Sequence, residues 1–156
     1  MLEILVLTVS DRAFNGDYDD RSGPEIRRIL KASGLELNIQ TGLVPDDPAA
    51  IRAALEEQRG LDWIITTGGT GIGPRDITPE VTQKFCERLL PGVAEMLRRE
   101  SCRETPHAVF SRGQCGISGS TLVVNFPGSV SAVRLHTRLI LPLLEHGPRM
   151  LRGEGH

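Results

Sequence analysis

The sequence predicts one three-layer α/β/α domain with a mostly parallel sheet, and three observations favour it. The segment Leu2–Val9 is nearly continuous in apolar residues, which is typical of a strand buried on both faces of a parallel sheet. Short apolar strands then alternate with segments of helical spacing, as they do in βαβ units. The length of 156 residues is that of a single domain. We therefore predict one domain over residues 1–156, with a frayed tail at residues 152–156.

The first third of the chain predicts a strand, a loop, a helix and a second strand. After Leu2–Val9, the polar residues 10–21 indicate a loop. A capping-box pattern with an early proline at residues 22–25 begins a helix that Gly34 ends. Apolar residues alternate along residues 35–44, which favours a strand near the edge of the sheet.

The middle of the chain continues the alternation. Asp47 is the expected N-cap of a second helix, with Pro48 in its first turn and Gly60 after its end. The segment Trp63–Thr67 predicts a short third strand. A third helix is expected to be capped at residues 78–80, and a fourth begins at Pro91 and runs to about residue 103.

The last third predicts a hairpin and a long helix. Residues 106–112 suggest one or two helical turns, and residues 118–119 suggest a turn between two short strands, the second at residues 120–126. Residues 127–129 are expected to cap the C-terminal helix. Pro142 is expected to kink or split that helix.

Composition and charge exclude several kinds of partner. Lys plus Arg number 18 and Asp plus Glu 20, for a formal charge of −2, which argues against a broad nucleic-acid surface. Aromatic residues make up only 4% of the chain, too few for a base-stacking platform. No apolar run approaches the roughly 20 residues of a membrane span, and no signal peptide is evident. Three cysteines without a CxxC pair indicate reduced thiols, so a cytoplasmic protein is expected.

Unusual residues follow four of the predicted strands. Ligands of open α/β sheets bind beyond the carboxyl ends of the strands, and parallel strands bring those ends to one edge. The segments in question are residues 10–12, 45–47, 67–76 and 125–129. We therefore expect them to converge on one pocket.

The glycine-rich segment at residues 67–76 is the most informative of the four. Four glycines within six residues permit backbone conformations closed to other residues and allow a ligand to approach the main chain. Successive N–H groups in such a loop can form an anion-binding nest. The spacing matches neither a P-loop nor a dinucleotide fingerprint. A tight strand-to-helix turn is the alternative, but Arg75 and Asp76 follow directly.

Asp46 and Asp76 are the candidate catalytic residues. Each lies in a loop on the expected ligand edge, next to the glycines. Mg²⁺ takes one or two protein carboxylates together with substrate phosphates and water, so this pair suits a metal-bound phosphate. The alternative is that these aspartates only cap helices, which we expect of Asp47.

Three further segments are open to two interpretations. Residues 10–12 offer a carboxylate and a guanidinium to a ligand, or form a local ion pair. Ser111 and Arg112 add a second cation, or form a solvated surface pair. Residues 125–129 form a backbone anion site, or merely cap a helix. The four histidines share no ligand spacing, and surface positions are expected for most of them.

Taken together, these motifs closely resemble the molybdopterin adenylyltransferase family. That family includes the bacterial Mog and MoaB proteins and the G domains of gephyrin and of plant Cnx proteins. The resemblance extends from about residue 4 to residue 150. A shorter version of the pattern occurs in molybdenum insertases and CinA-like proteins, from which the absence of a further domain is expected to separate this chain. The matching motifs stand at residues 10–12, 45–47, 66–80 (TTGGTGIGPRDITPE), 91–92, 111–112 and 116–129 (GISGSTLVVNFPGS).

The resemblance implies a molybdopterin-binding-domain-like fold, usually a homotrimer, and a defined reaction. ATP and molybdopterin would give adenylylated molybdopterin and pyrophosphate with Mg²⁺, and the product would serve a molybdenum insertase, a candidate partner. Asp46 and Asp76 match the family's two key acidic residues, to which we assign Mg²⁺ binding and orientation of the triphosphate. Arg75 would help to neutralise the triphosphate. The phosphate-contacting backbone would be that of Gly68, Gly69, Thr70 and Gly71, and the other pocket positions would be Ser10, Asp11, Ser111, Ser120, Asn125, Pro127, Gly128 and Ser129.

Two departures from the family pattern bear on affinity for the pterin. Ser118 stands where many relatives carry Arg or Lys, and Val130 and Ser131 stand where Pro-Lys is frequent. Both changes are expected to remove a cation from near an anionic substrate. Two other functions therefore stay open: a non-catalytic, molybdopterin-binding carrier of MoaB type, and a nucleotide-using enzyme with another phosphorylated substrate.

Overall fold

The computed structural model describes residues 1–154, which form one six-stranded sheet between two helical layers. The strand order is β2-β1-β3-β6-β5-β4. The first four strands in this order are mutually parallel, while β5 is antiparallel to β6 and β4 is antiparallel to β5. The predicted α/β fold with a mostly parallel sheet is confirmed, and the second strand lies at the edge as expected. The strands are β1 Leu2–Val9, β2 Leu37–Val44, β3 Trp63–Thr67, β4 Arg88–Leu89, β5 Cys115–Ser118 and β6 Thr121–Phe126.

Helices cover both faces of this sheet. Helices α2, α5 and α6 contribute to the core on one face, and α3 and α4 contribute to the core on the other. The helices are α1 Asp11–Phe14, α2 Ser22–Ala32, α3 Pro48–Glu57, α4 Thr78–Phe85, α5 Pro91–Glu104, α6 Val130–Ile140 and α7 His146–Leu151, with 3₁₀ turns at Pro106–Phe110 and Leu141–Leu143.

The continuous apolar run of β1 follows from its place inside the sheet. Ile4 and Val6 face the layer of α2 and α6, whereas Leu5 and Leu7 face the layer of α3. All four are at most 4% exposed. Because successive side chains of a strand point to opposite faces, a strand covered on both sides is apolar at successive positions, as residues 4–7 are.

The helix ends differ in part from the sequence prediction. Residues 10–21, expected to be a loop, include the single turn α1, whose N-cap Ser10 accepts from the Ala13 N–H at 3.1 Å. The capping box expected at residues 22–25 does not form. Asp20 serves instead, because its carboxylate accepts from the Gly23 N–H at 3.1 Å.

Two features of the second half of the chain could not be predicted from local sequence patterns. Thr78 begins α4 but does not cap it, because its hydroxyl donates to the carbonyl of Gly68 at 3.0 Å. Strand β4 has only two residues, too few for a periodic pattern. Asp47 and Ser129 cap α3 and α6 as predicted, and a 3₁₀ turn that contains Pro142 separates α6 from α7.

The C-terminal residues are described only in part. Residues 155 and 156 of the predicted frayed tail lie outside the described residues. Before them, Arg152 Nε donates to Glu154 Oε1 at 2.7 Å. In the described part of the chain, no helix combines the length and apolarity that a membrane span requires.

Candidate functional site

The carboxyl ends of four parallel strands lie level at one edge of the sheet. Val9 of β1 is paired with Val44 of β2, Thr8 with Thr67 of β3, and Thr67 with Phe126 of β6. The four segments that follow these strands are therefore neighbours, as the sequence predicted. They carry Asp11, Asp46, the glycine loop of residues 68–76 and residues 127–129.

Asp11 and Asp46 are interlocked at this edge. The Asp11 N–H donates to Asp46 Oδ2 and the Asp46 N–H donates to Asp11 Oδ1, both at 2.9 Å. Arg75 closes the group, since its guanidinium donates to both Asp11 oxygens at 2.6 and 3.1 Å and to the Asp46 carbonyl at 3.0 Å. Arg75, expected to face a triphosphate, therefore already pairs with an acidic residue, although its side chain is 64% exposed.

The pKa values of the two carboxyl groups are shifted in opposite directions. The hydrogen bond from Arg75 holds the pKa of Asp11 below its ordinary value. Burial raises the pKa of Asp46, and the negative charges of Asp11 and Asp76 add to that effect. Asp46 is therefore a carboxylate whose charge the protein only partly compensates.

The glycines bring the backbone against these carboxylates. Gly68 has a φ of 102°, and a Cβ there would lie 2.2 Å from the carbonyl oxygen of Val9. Gly69 has a φ of 68°, and its Cβ would lie 2.4 Å from the Thr78 hydroxyl and 2.9 Å from Asp46 Oδ1. Only glycine fits at either position without a shift of its neighbours.

The rest of the loop encloses Asp76. The Gly73 N–H donates to Asp76 Oδ2 at 2.9 Å. A Cβ added at Gly71 or Gly73 would lie 2.9 Å from the same oxygen. The glycine loop is therefore a tight turn, and that turn also holds the Asp76 carboxylate in place.

Two cavities meet at the glycine loop. The smaller, of about 200 Å³, is lined by Ser10, Asp46 and Asp76, among others. The larger, of about 420 Å³, extends between α5 and α6 and has a mainly apolar wall that includes Leu97 and Phe110. The residues that line both are Gly68, Gly69, Asp76 and Gly128. Asp76 therefore lies where molecules in the two cavities would come together.

The carboxylates suit a cation that brings other oxygen ligands with it. Among residues 1–154, no group of three or more His, Cys, Asp or Glu side chains could hold a metal ion. Asp46 and Asp76 each have one oxygen bound to a backbone N–H, and Oδ1 of each accepts no hydrogen bond within the described chain. Two such oxygens fit Mg²⁺ only if substrate phosphate and water complete its shell.

Several other predicted site residues have structural tasks. Asn125, 2% exposed, donates to the hydroxyls of Thr66 and Thr82 at 2.9 Å and accepts from the Gln114 N–H at 3.1 Å. Both amide donors are thus used within the protein. The carbonyl of Pro127 accepts from the Thr67 hydroxyl at 2.8 Å, and the Ser129 side chain caps α6.

Arg112 is also turned away from the cavities. Its guanidinium contacts the carbonyls of Gly71 and Asp76 and the carboxylate of Glu80. Arg112 is therefore not a free cation that faces the cavities, which was one of the two interpretations of the sequence. Ser111 lines the larger cavity.

The structure separates Ser120 from the other candidates. Strand β6 runs from Thr121 to Phe126 and has its carboxyl end at the site, so Ser120 lies a full strand length away, on the order of 20 Å. Ser118 lies at that far end too, where Arg59 contacts its hydroxyl. The departure at Ser118 is therefore remote from this site, whereas Ser131 lines the larger cavity.

Sequence reasoning missed a buried pair on the wall of the larger cavity. Ser101 Oγ and His136 Nε2 are 2.7 Å apart, and His136 is 3% exposed. Burial, helped by the charge of Arg98, lowers the pKa of His136 to about 4. The available signal was the helical spacing of His136 with Val133 and Ile140, which marks it as part of the buried face of α6.

Comparisons with known proteins identify relatives over nearly the whole chain. The family described as "Probable molybdopterin binding domain" matches residues 5–146. The chain is 35% identical over 156 residues to the molybdopterin adenylyltransferase of Helicobacter pylori, covering 97% of this chain and 89% of that protein. It is 37% identical to the molybdenum cofactor synthesis protein cinnamon of Drosophila melanogaster, covering 94% of this chain but 25% of that protein. The crystal structure of the molybdopterin biosynthesis enzyme MoaB from Thermus thermophilus has a TM-score of 0.88 and 40% identity, and covers 98% of each chain.

Proposed function

The chain belongs to the molybdopterin-binding domain family, and on this premise we propose that it transfers the adenylyl group of ATP to molybdopterin in molybdenum cofactor biosynthesis. One observation carries the proposal. Asp76 and the glycine loop lie at the junction of two cavities, and a two-substrate transfer needs two compartments that meet at the reacting atoms. The identity to a molybdopterin adenylyltransferase over nearly the whole chain supports the same reaction.

The proposed step joins two phosphates. A terminal phosphate oxygen of molybdopterin forms a bond to the α-phosphorus of ATP. The bond from that phosphorus to the oxygen bridging to the β-phosphate breaks, and its electron pair leaves on pyrophosphate. Because the nucleophile is already an anion, the reaction needs positioning and charge neutralisation rather than a strong base.

The residues have distinct tasks in this proposal. Asp46 and Asp76 hold Mg²⁺, which neutralises charge on the triphosphate. The backbone N–H groups between Gly68 and Gly71 orient the phosphates, as an anion-binding nest does. Arg75 fixes the Asp11–Asp46 pair rather than acting as a free cation.

Three wider expectations accompany the reaction. We propose a homotrimer, which light scattering would contradict with a mass near the 17.0 kDa of one chain. A cytoplasmic location and delivery of the product to a molybdenum insertase also stay predictions. The curated relatives include a bifunctional molybdenum cofactor biosynthesis protein of which this chain covers 49%, which supports a functional link to another domain.

A second candidate is a carrier that binds molybdopterin without adenylylating it. The larger cavity supports this alternative, because it offers a site for the pterin whether or not the smaller cavity takes up ATP. Such a carrier would keep the larger cavity and lack ATP-dependent turnover.

One assay separates the two candidates. Purified protein is incubated with molybdopterin, ATP and Mg²⁺, and adenylylated molybdopterin and pyrophosphate are measured. We expect Mg²⁺-dependent product that Asp76→Asn lowers by orders of magnitude. Asp47→Asn is the matched control, since the Asp47 side chain caps α3 and asparagine caps a helix as well as aspartate does. Tight molybdopterin binding without product would favour the carrier, and absence of both would contradict molybdopterin as the substrate.

A further inference from the structure

A short strap, residues 111–113, crosses the glycine loop and is bound to it through Arg112. The Arg112 N–H donates to the carbonyl of Thr70 at 2.8 Å. Its Nε donates to the carbonyl of Gly71, and its Nη2 donates to the carbonyl of Asp76, each at 2.8 Å. One side chain therefore binds the loop on both sides of its turn.

The third nitrogen of the Arg112 guanidinium also has a partner. Nη1 of Arg112 contacts the carboxylate of Glu80, in the first turn of α4 just after the loop. Although partial burial opposes it, this hydrogen bond holds the pKa of Glu80 below its ordinary value. Arg112 thus joins the loop to the start of the helix that follows it.

The strap itself is anchored from the opposite direction. Arg98 of α5 donates from Nη1 to the carbonyl of Ser111 at 2.8 Å and to that of Gly113 at 3.4 Å. Ser111 and Gly113 line the larger cavity. The Arg112 side chain is therefore held on a fixed segment, and the same segment forms part of the cavity wall.

From these contacts we propose that Arg112 is a positioning residue for Asp76, acting through the loop backbone and not on substrate. The proposal rests on the adenylyl transfer proposed above. The hydrogen bonds from Arg112 to the carbonyls of Gly71 and Asp76 fix the turn that holds the Asp76 carboxylate at the junction of the cavities. A planar guanidinium donates in several fixed directions at once, which a lysine ammonium on its flexible stem does not do.

The test compares Arg112→Lys and Arg112→Ala with the wild type. We expect kcat for adenylyl transfer to fall about 10- to 100-fold in both variants, as misplacement of a reacting group does. The half-saturating Mg²⁺ concentration should rise while KM for molybdopterin changes little. Added guanidinium should restore part of the Arg112→Ala activity. The control is Arg134→Ala, which removes an ion pair between Arg134 of α6 and Glu25 of α2 and should behave like wild type.

Amide hydrogen exchange gives a second readout that needs no turnover. The Asp76 N–H donates to Gly73 and the Thr78 N–H donates to Gly69, so both amides report the shape of the loop. We expect faster exchange at both in the Arg112 variants and no change in Arg134→Ala. If wild-type protein makes no product, the proposed function fails while the exchange data still test the positioning. Unchanged exchange, or wild-type kcat and Mg²⁺ dependence in Arg112→Lys, would overturn the inference.

Discussion

Asp11 and Asp46 hold each other through two reciprocal hydrogen bonds, in which each backbone N–H donates to the other residue's carboxylate at 2.9 Å. The two residues follow β1 and β2, so the bonds tie the ends of neighbouring strands together. Since Asp46 is a proposed Mg²⁺ ligand, the direction of its carboxylate depends on the backbone of a residue 35 positions away.

We therefore expect Asp11→Ala to lower adenylyl transfer about 10- to 100-fold, because the Asp46 N–H and Arg75 both lose their acceptor. Asp11→Asn should lose less, since its amide oxygen still accepts from the Asp46 N–H. Steady-state turnover measures both. Asp17→Ala, an exposed aspartate just beyond α1, is the control, and equal rates in Asp11→Ala and Asp17→Ala would contradict the prediction.

The same pair predicts opposite effects of two conservative substitutions on stability. The raised pKa of Asp46 means that its ionised form costs folding free energy, and this cost is fully present above the folded-state pKa and disappears below the ordinary value of 3.8. The lowered pKa of Asp11 means that its ionised form stabilises the fold, and this contribution is present above 3.8 and lost as the pH falls through the folded-state pKa.

At pH 7 we therefore expect Asp46→Asn to raise Tm and Asp11→Asn to lower it. The Asp46→Asn difference should shrink as the pH falls from the raised folded-state pKa of Asp46 to 3.8. The Asp11→Asn difference should shrink only below 3.8, as the pH falls through the lowered folded-state pKa of Asp11. Thermal unfolding followed by circular dichroism measures them. A lower Tm for Asp46→Asn at pH 7 would show that its hydrogen bond to the Asp11 N–H outweighs the cost of its buried charge.

Local contacts and the convergence of the four loops were predictable from the sequence, whereas individual contacts between distant residues were not. The helix caps at Asp47 and Ser129 depend on hydrogen bonds to residues three positions ahead, so the sequence predicted them. The Asp11–Asp46 pair and the contacts of Arg112 join residues that only the fold brings together. Ser120 shows the limit of motif matching, because a motif that crosses a strand has its two ends at opposite edges of the sheet.

The three cysteines predict a simple pattern of reactivity. Burial raises the pKa of Cys86 to about 11 and that of Cys115 to about 12, whereas Cys102 is exposed on α5. Since the thiolate is the reactive form, a thiol reagent at pH 8 should modify only Cys102 in the folded protein. Titration with a chromogenic disulfide should therefore detect one thiol per chain, none in Cys102→Ser and three after unfolding. Two rapidly reacting thiols in the folded wild type would contradict the burial of Cys86 or Cys115.

Gly68 and Gly16 form a matched pair that separates backbone strain from steric exclusion. Both have a positive φ, 102° and 80°, but a Cβ at Gly16 meets nothing within 4 Å, whereas one at Gly68 lies 2.2 Å from the Val9 carbonyl oxygen. Gly16→Ala should therefore cost only the left-handed backbone, about 1–2 kcal/mol.

Gly68→Ala should cost more than Gly16→Ala, by about 1–3 kcal/mol, because its methyl group is forced against the backbone of β1. Urea unfolding of the two variants measures the difference. The displaced backbone is the end of β1, directly before the segment that holds Asp46 in place, so Gly68→Ala should also lower turnover while Gly16→Ala leaves it unchanged. Equal losses of stability in the two variants would mean that the glycine loop moves aside freely, and a loop that moves freely would not hold Asp76 at the junction of the two cavities.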